Sequence, residues 1–405
     1  MKALQFSITL PRWIALKILG RINRRLLYSG PLAAIKLVDI PEPALPTAQW
    51  VKVKTLMCGF CASDLSLILL KESPTASPFI SFPCVIGHEI CGRIVEVGSA
   101  VTRVNPGDVV AIAPALNCAV REIDPVCPAC RQGMVANCEN YARGNLAAGM
   151  VTGLCSETSG GFAPYFVAHQ SQVYHLPGGF GPERGILIEP LAVGLQTVLD
   201  NTPQAGERVL IVGGGVIGTM VFRSLRGLNI DCHVTVLEPS AFAADLAKTS
   251  GADAVISNGD LLEAAVRLTG ATRYKPAIGQ EILMGGFNRI YDTVGSARTL
   301  SQAMRCLAAG GTLSQVGIWK EMKLDLTPLW LKQQTIKGVY GCGYTTYKGQ
   351  WQFMFDIALD MVREGKINLN DMLTHRFYLE NFREMIEVNL DKNKHKAVKT
   401  AVSFI

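Results

Sequence analysis

No uncharged apolar run in this 405-residue chain approaches the ~18 residues that a membrane-spanning helix needs, so no span is expected. The first residues, MKALQFSITLPRW, do not set a charged start, an apolar run and a small-residue cleavage site in order, so no secretory leader is expected. Charge of one sign is scarce too. Thirty-nine basic against 33 acidic residues leave +6, too weak a bias to argue for nucleic acid, and no block of like charges runs through the body of the chain. Internal repeats and low-complexity tracts are missing, which excludes solenoids and fibrous classes. The chain is also too long for one compact core, so two domains are expected.

Cysteine is present, but not in the manner of a disulfide scaffold. Twelve are scattered over a long chain and several sit at metal-ligand spacing, which calls for a reducing compartment. The cytoplasm is the expected location.

Residues 31–115 alternate short β-rich runs with Gly/Pro punctuation: AAIKLVDIPEP, WVKVKTLMCGF, GRIVEVGSAV and GDVVAIAP. These predict an all-β unit with tight turns. From Glu207 onward strands such as RVLIVGGG, HVTVLEPS and RIYDTVG alternate with helical spacing, the pattern of a doubly wound parallel sheet. The fold class is therefore α/β. The tail, from MLTHRFYLENFREMIEVNL to KAVKTAVSFI, reads as a helix followed by a strand.

The stretch RWIALKILGRINRRLLYSG, residues 12–30, predicts a basic amphipathic helix. At 100° per residue Ile14, Ile18, Ile22, Leu26 and Leu19 share one face, and Lys17, Arg21, Arg24 and Arg25 share another. Such a stripe ordinarily packs on its own domain, and that is the expectation here. The sharper alternative is a helix that lies on a membrane surface or a partner.

VLIVGGGVIG runs an apolar strand into G-x-G-x-x-G, with Gly213, Gly215 and Gly218 at the three positions and Val216 and Ile217 between the last two. Glycine there lets the chain turn tightly, approach a pyrophosphate and pack the helix close to the strand, while the helix N-terminus attracts phosphate. A second strand ends in Glu238, 20 residues after Gly218, where a carboxylate can bind the ribose hydroxyls. A carboxylate at that place repels a 2′-phosphate, and PSAFAA beyond it offers no Arg or Lys to pair one. NAD is expected as the cofactor and NADP is disfavoured.

GFCASDL, GHEICGRIVEVGSAVTRVNPGDVV, IEPLAVGLQTVL and the dinucleotide fingerprint, in that order, resemble the zinc-dependent medium-chain alcohol dehydrogenase superfamily from about residue 35 to the C-terminus. Glutamate rather than cysteine in EPL is similar to the polyol and threonine dehydrogenase branch. The resemblance implies a GroES-like catalytic β domain over residues 1–190, a Rossmann domain over 191–342, and a return of 343–405 to the first domain, with the active site in the cleft between them. It implies Cys61, His88 and Glu189 as catalytic zinc ligands, Glu189 directly or through water, with Glu89 as an alternative ligand during turnover. One thiolate, one imidazole and one carboxylate leave tetrahedral Zn²⁺ an open position for an alcohol.

By the same resemblance Ser63 takes the alcohol proton, Asp64 fixes ligand orientation, and the alkoxide passes hydride to C4 of the nicotinamide. Many relatives carry a histidine just beyond; this chain has Ser66, so a water or the ribose hydroxyl must finish the relay. Val193, Val294 and the backbone near Gly317 match positions that flank the nicotinamide. The segment DLTPLWLKQQTIKG resembles a family subunit contact and implies a homo-oligomer, dimer or tetramer.

The family's structural zinc is held by C-x2-C-x2-C-x7-C. Cys127, Cys130 and Cys138 fit the last three positions, and counting back three from Cys127 lands on Asp124. A carboxylate is a competent zinc ligand, so Asp124 is the expected fourth; Cys118 is the rival if the AVREI segment loops back. The expected partner is a small alcohol or ketone, with the apolar loops SLILLKESPTASPFISF and ARGNLAAGMVTGLCSETSGGF favouring a secondary alcohol of moderate bulk. Two other readings are a catalytically silent NAD-binding protein and a zinc-free quinone or enoyl reductase. Intact Cys61, Ser63, His88 and Glu189 weigh against the first, and the GHE ligand and the cysteine knuckle against the second.

Overall fold

A computed structural model describes residues 1–318 and 321–405, and the chain divides into two compact units. The first comprises residues 1–189, 341–363 and 369–405; the second comprises 190–340 with 364–368.

The first unit is built on a seven-stranded sheet. Its long central strand, Trp50–Phe60, pairs antiparallel with Glu89–Val97 on one side and with Lys399–Ser403 on the other. Leu373–Phe377 lies parallel to Lys399–Ser403, so part of the tail expected to be helical is an edge strand; the helix follows at Phe382–Leu390. β-Branched and aromatic side chains of the sheet, among them Val51, Val53, Phe60, Ile90, Ile94 and Phe166, pack with Phe162 into one buried cluster.

The N-terminal helix spans Leu10–Ile22, between the paired strands Lys2–Phe6 and Ile35–Asp39. It is shorter than the sequence pattern predicts. Asn23 turns extended (φ −141°, ψ 107°) and its side chain accepts the Arg25 N–H, which starts a separate 3-10 turn over Arg24–Leu27. The expectation that the isoleucine stripe packs on its own domain is overturned. Leu16 is the buried residue of this helix, whereas Ile14, Ile18 and Ile22 are 49%, 59% and 81% exposed.

The second unit is a six-stranded parallel sheet. Its order runs Ala254–Ile256, Cys232–Leu237, Glu207–Val212, Phe287–Asp292, Leu307–Gln315, Thr335–Gly338. The order reverses beside Glu207–Val212, the switch point at which doubly wound sheets bind ligands. Strand cores such as Val209, Leu210, Ile211 and Val212 are buried on both faces, as a sheet covered by helices requires. Among the described residues no helix is long and apolar enough to cross a membrane.

Candidate functional site

Register brings the first site together. Gly59 sits opposite Glu89, so one strand ends just before Cys61, near the point where its neighbour begins after His88. Ligand atoms of Cys61, His88 and Glu89 all lie within 4.8 Å of one another. Cys61 also caps the helix Ala62–Ile68: its N–H donates to Asp64 Oδ2 at 2.9 Å. The other carboxylate oxygen of the buried Asp64 stands 3.6 Å from His88 Nδ1, so one acid orients both the cysteine and the histidine. Burial raises the Asp64 carboxyl, against the pull of His88. Ser63, half-buried, projects from the same first turn.

Glu89 is buried in an ion pair with Lys399, which is itself buried and donates to the Phe60 carbonyl at 3.2 Å. Burial disfavours the Lys399 charge, but Glu89, together with Cys61 and Glu189, more than offsets this and the ammonium is held above its ordinary pKa. Gly59 leaves room for this pair, since a Cβ there would collide with the Glu89 carboxylate and the Lys399 stem. The sequence pattern gave no sign of Lys399, because a lone lysine near the C-terminus reads as surface.

Glu189 lies outside the 4.8 Å cluster, in the first turn of the helix Ile188–Leu199. Against burial, Asp64 and Cys61 and to a lesser extent Glu189 raise the His88 pKa, and desolvation pushes the Glu189 carboxyl up to about 7, opposed by His88. The structure thus groups Glu89 rather than Glu189 directly with Cys61 and His88. The chemistry of the donor set fits zinc: thiolate, imidazole and carboxylate in one cluster.

The second cluster corrects one ligand. Cys118, Cys127, Cys130 and Cys138 converge within 4.8 Å, whereas Asp124 is exposed and outside the group. The AVREI segment does loop back: Ile123 N–H bonds to the Cys118 carbonyl at 2.9 Å after Glu122 adopts a positive φ of 52°. Cys118 Sγ stands 3.6 Å and Cys127 Sγ 4.0 Å from Cys138 Sγ. Four thiolates around Zn²⁺ at ~2.3 Å would be about 3.8 Å apart, so the cage fits. N–H groups already point at the sulfurs, from Cys127 and the Asn140 amide onto Cys118 and from Glu139 onto Cys127. Spacing favoured Asp124 because it counts along the chain and cannot see the turn.

Arg121, fully buried, holds that turn. Its guanidinium donates to the carbonyls of Leu116, Arg143, Leu146, Ala147 and Gly149. Five satisfied bonds offset the burial of the charge.

The glycine fingerprint follows Glu207–Val212 and opens the helix Val216–Gly227. Gly213 has φ +97°, and a Cβ on Gly218 would overlap the Gly213 carbonyl, so both positions demand glycine. The space above Gly215 is open, as a phosphate approach requires. Glu238 directly follows the strand Cys232–Leu237, with Oε2 accepting from Gly214 N–H at 2.7 Å and Oε1 from Ser240 N–H at 2.8 Å. Val193 is buried, Val294 is half exposed, and Gly317 packs against Gly295. All these residues, with Val216 and Ile217, belong to the second unit, whereas both metal clusters belong to the first.

Two family models match the chain: the alcohol dehydrogenase GroES-like domain over residues 47–178 and the zinc-binding dehydrogenase over 216–356. L-idonate 5-dehydrogenase of Vitis vinifera is 29% identical over 349 residues, 85% of this chain and 86% of its own. Sorbitol dehydrogenase of Bos taurus is 28% identical over 370 residues, 91% of this chain and 93% of its own. Galactitol-1-phosphate dehydrogenase from Escherichia coli shares the fold at a TM-score of 0.72 and 22% identity, with 100% of both chains covered.

Three outcomes follow from this geometry. Cys118→Ser should remove one of two zinc ions per chain by elemental analysis, and Asp124→Ala should remove none. Arg121→Met, which strands five carbonyls, should cost roughly 3–5 kcal/mol in urea unfolding. Glu238→Ala should weaken NAD binding about tenfold or more by fluorescence titration, with a smaller loss for NADP.

Proposed function

The chain belongs to the zinc-dependent medium-chain alcohol dehydrogenase superfamily, with relatives named for polyols and threonine, and on that premise we propose that it interconverts a secondary alcohol and its ketone with NAD. The observation that carries this reading is the convergence of Cys61, His88 and Glu89 where two paired strands meet, with Ser63 in the adjoining helical turn.

Cys61, His88 and Glu189 would hold the metal. Glu89 is already neutralised by Lys399, which leaves Glu189 to balance the ion, with Glu89 able to exchange with it. Zinc held there would supply Lewis acidity that makes an alcohol hydroxyl acidic near neutral pH, and a bound nicotinamide would supply the hydride acceptor. Ser63 accepts the hydroxyl proton. Since Ser66 is a poor base, the proton would leave Ser63 through water or a ribose hydroxyl. Asp64 keeps the Cys61 backbone and the His88 ring in place throughout.

The apolar wall segments favour a secondary alcohol of moderate bulk over a sugar. NAD is preferred because Glu238 stands where a 2′-phosphate would be repelled. Exposed Trp330 and Leu331, at 67% and 46%, support a homo-oligomer through the stretch that includes them.

The test couples metal content to turnover. The wild type should carry two zinc ions per chain and Cys61→Ala one, with no NAD reduction on any alcohol of a broad panel. Ser63→Ala should keep both ions and lose about 10²–10⁴ in kcat. A wild type with one zinc untouched by Cys61→Ala would overturn the proposal.

A further inference from the structure

The helix Leu10–Ile22 carries chemistry that the oxidoreductase reading does not use. Leu10, Ile14, Ile18 and Ile22 recur every fourth residue and are 71%, 49%, 59% and 81% exposed, an aliphatic stripe along the helix. The opposite side is docked: Leu16 is buried in the core of the first unit, and the Arg12 guanidinium donates to the carbonyls of Leu32, Ser7 and Ala33. The stripe is therefore presented by a helix anchored through its other face.

Its charge is equally one-sided. The first 38 residues hold seven Lys and Arg and no Asp or Glu, which leaves 32 basic against 33 acidic residues for the rest. The whole excess of positive charge thus belongs to this N-terminal segment. Lys17 and Arg21 follow Ile14 and Ile18 by three positions, so they border the stripe, and exposed Arg24 continues it. Arg25 is paired with Glu387 at 2.9 Å and adds little. Trp13, with Lys17 Nζ 5.1 Å over its ring, lies at the edge between the docked and the open faces.

We propose that this helix is a docking surface for an anionic phospholipid bilayer, lying in the interface with Leu10, Ile14, Ile18 and Ile22 in the acyl boundary and Lys17, Arg21 and Arg24 at the headgroups. An aliphatic stripe bordered by basic side chains is the surface pattern that such interfaces bind. A second copy of the same helix is the poorer occupant, because it would set cations against cations with no acid in the segment to pair them. Nucleic acid would leave the stripe unmatched.

The full chain should be mixed with large vesicles of phosphatidylcholine alone or with 30% phosphatidylserine, at low salt and at 0.15 M salt, and followed by co-sedimentation. Binding is expected on the anionic vesicles only, weakened by salt. Each basic residue near an anionic surface is worth about fivefold in partitioning, so Arg21→Glu with Arg24→Glu should lower it by at least about 25-fold. Ile14→Ser with Ile18→Ser should lower it about tenfold or more. Unchanged urea midpoints and NADH binding would show that both variants fold. No binding to anionic vesicles at low salt, equal binding to neutral ones, or full binding by either variant would overturn the proposal. So would a dimer in light scattering that dissociates in the isoleucine variant while vesicle binding persists in neither protein.

Discussion

The pairing of Trp50–Phe60 with Glu89–Val97 is the constraint on which the first site depends. A β ladder has a side-chain period of two, so a slip of one residue would turn Glu89 away from its partner and misplace the approach to His88. The third strand in this register, Lys399–Ser403, comes from the other end of the chain and sets a buried ammonium against Glu89. A buried carboxylate so placed has an opposite charge to meet its own.

The cysteine lobe solves a similar problem by different means. Between Ile112 and Tyr165 the chain has only short helical turns, and its order comes from point contacts. Arg121 collects five carbonyls that no ladder would satisfy, and the thiols gather several N–H groups. Irregular backbone buried in this way must find partners one by one. The lobe therefore depends on a few residues, and the turn that brings Cys118 back is one of its parts rather than a detail of it.

The nucleotide unit was the most legible region. Strand, glycine turn, helix and the acid after the second strand are local in sequence, and Gly213 and Gly218 meet local demands that a Cβ would violate. The N-terminal helix was legible as an element and misread as a packing surface. Periodicity finds an apolar stripe but not which way it faces, and here the docking is done by Leu16 and Arg12 instead. Part of the tail was taken for helix because its strand has no alternation of its own and exists by pairing with Lys399–Ser403.

The sequence by itself determined the α/β class, the dinucleotide fingerprint with Glu238, and the residue types Cys61, Ser63 and His88, since these are set by motifs a few residues long. Tertiary structure decided what spacing could not. It chose Cys118 over Asp124, set Lys399 beside Glu89, and left Glu189 just outside the tight cluster. The physical reason is common to all three: a ligand or a buried charge is selected by distance in space, and chain turns and strand pairings join residues whose separation in sequence carries no information about that distance.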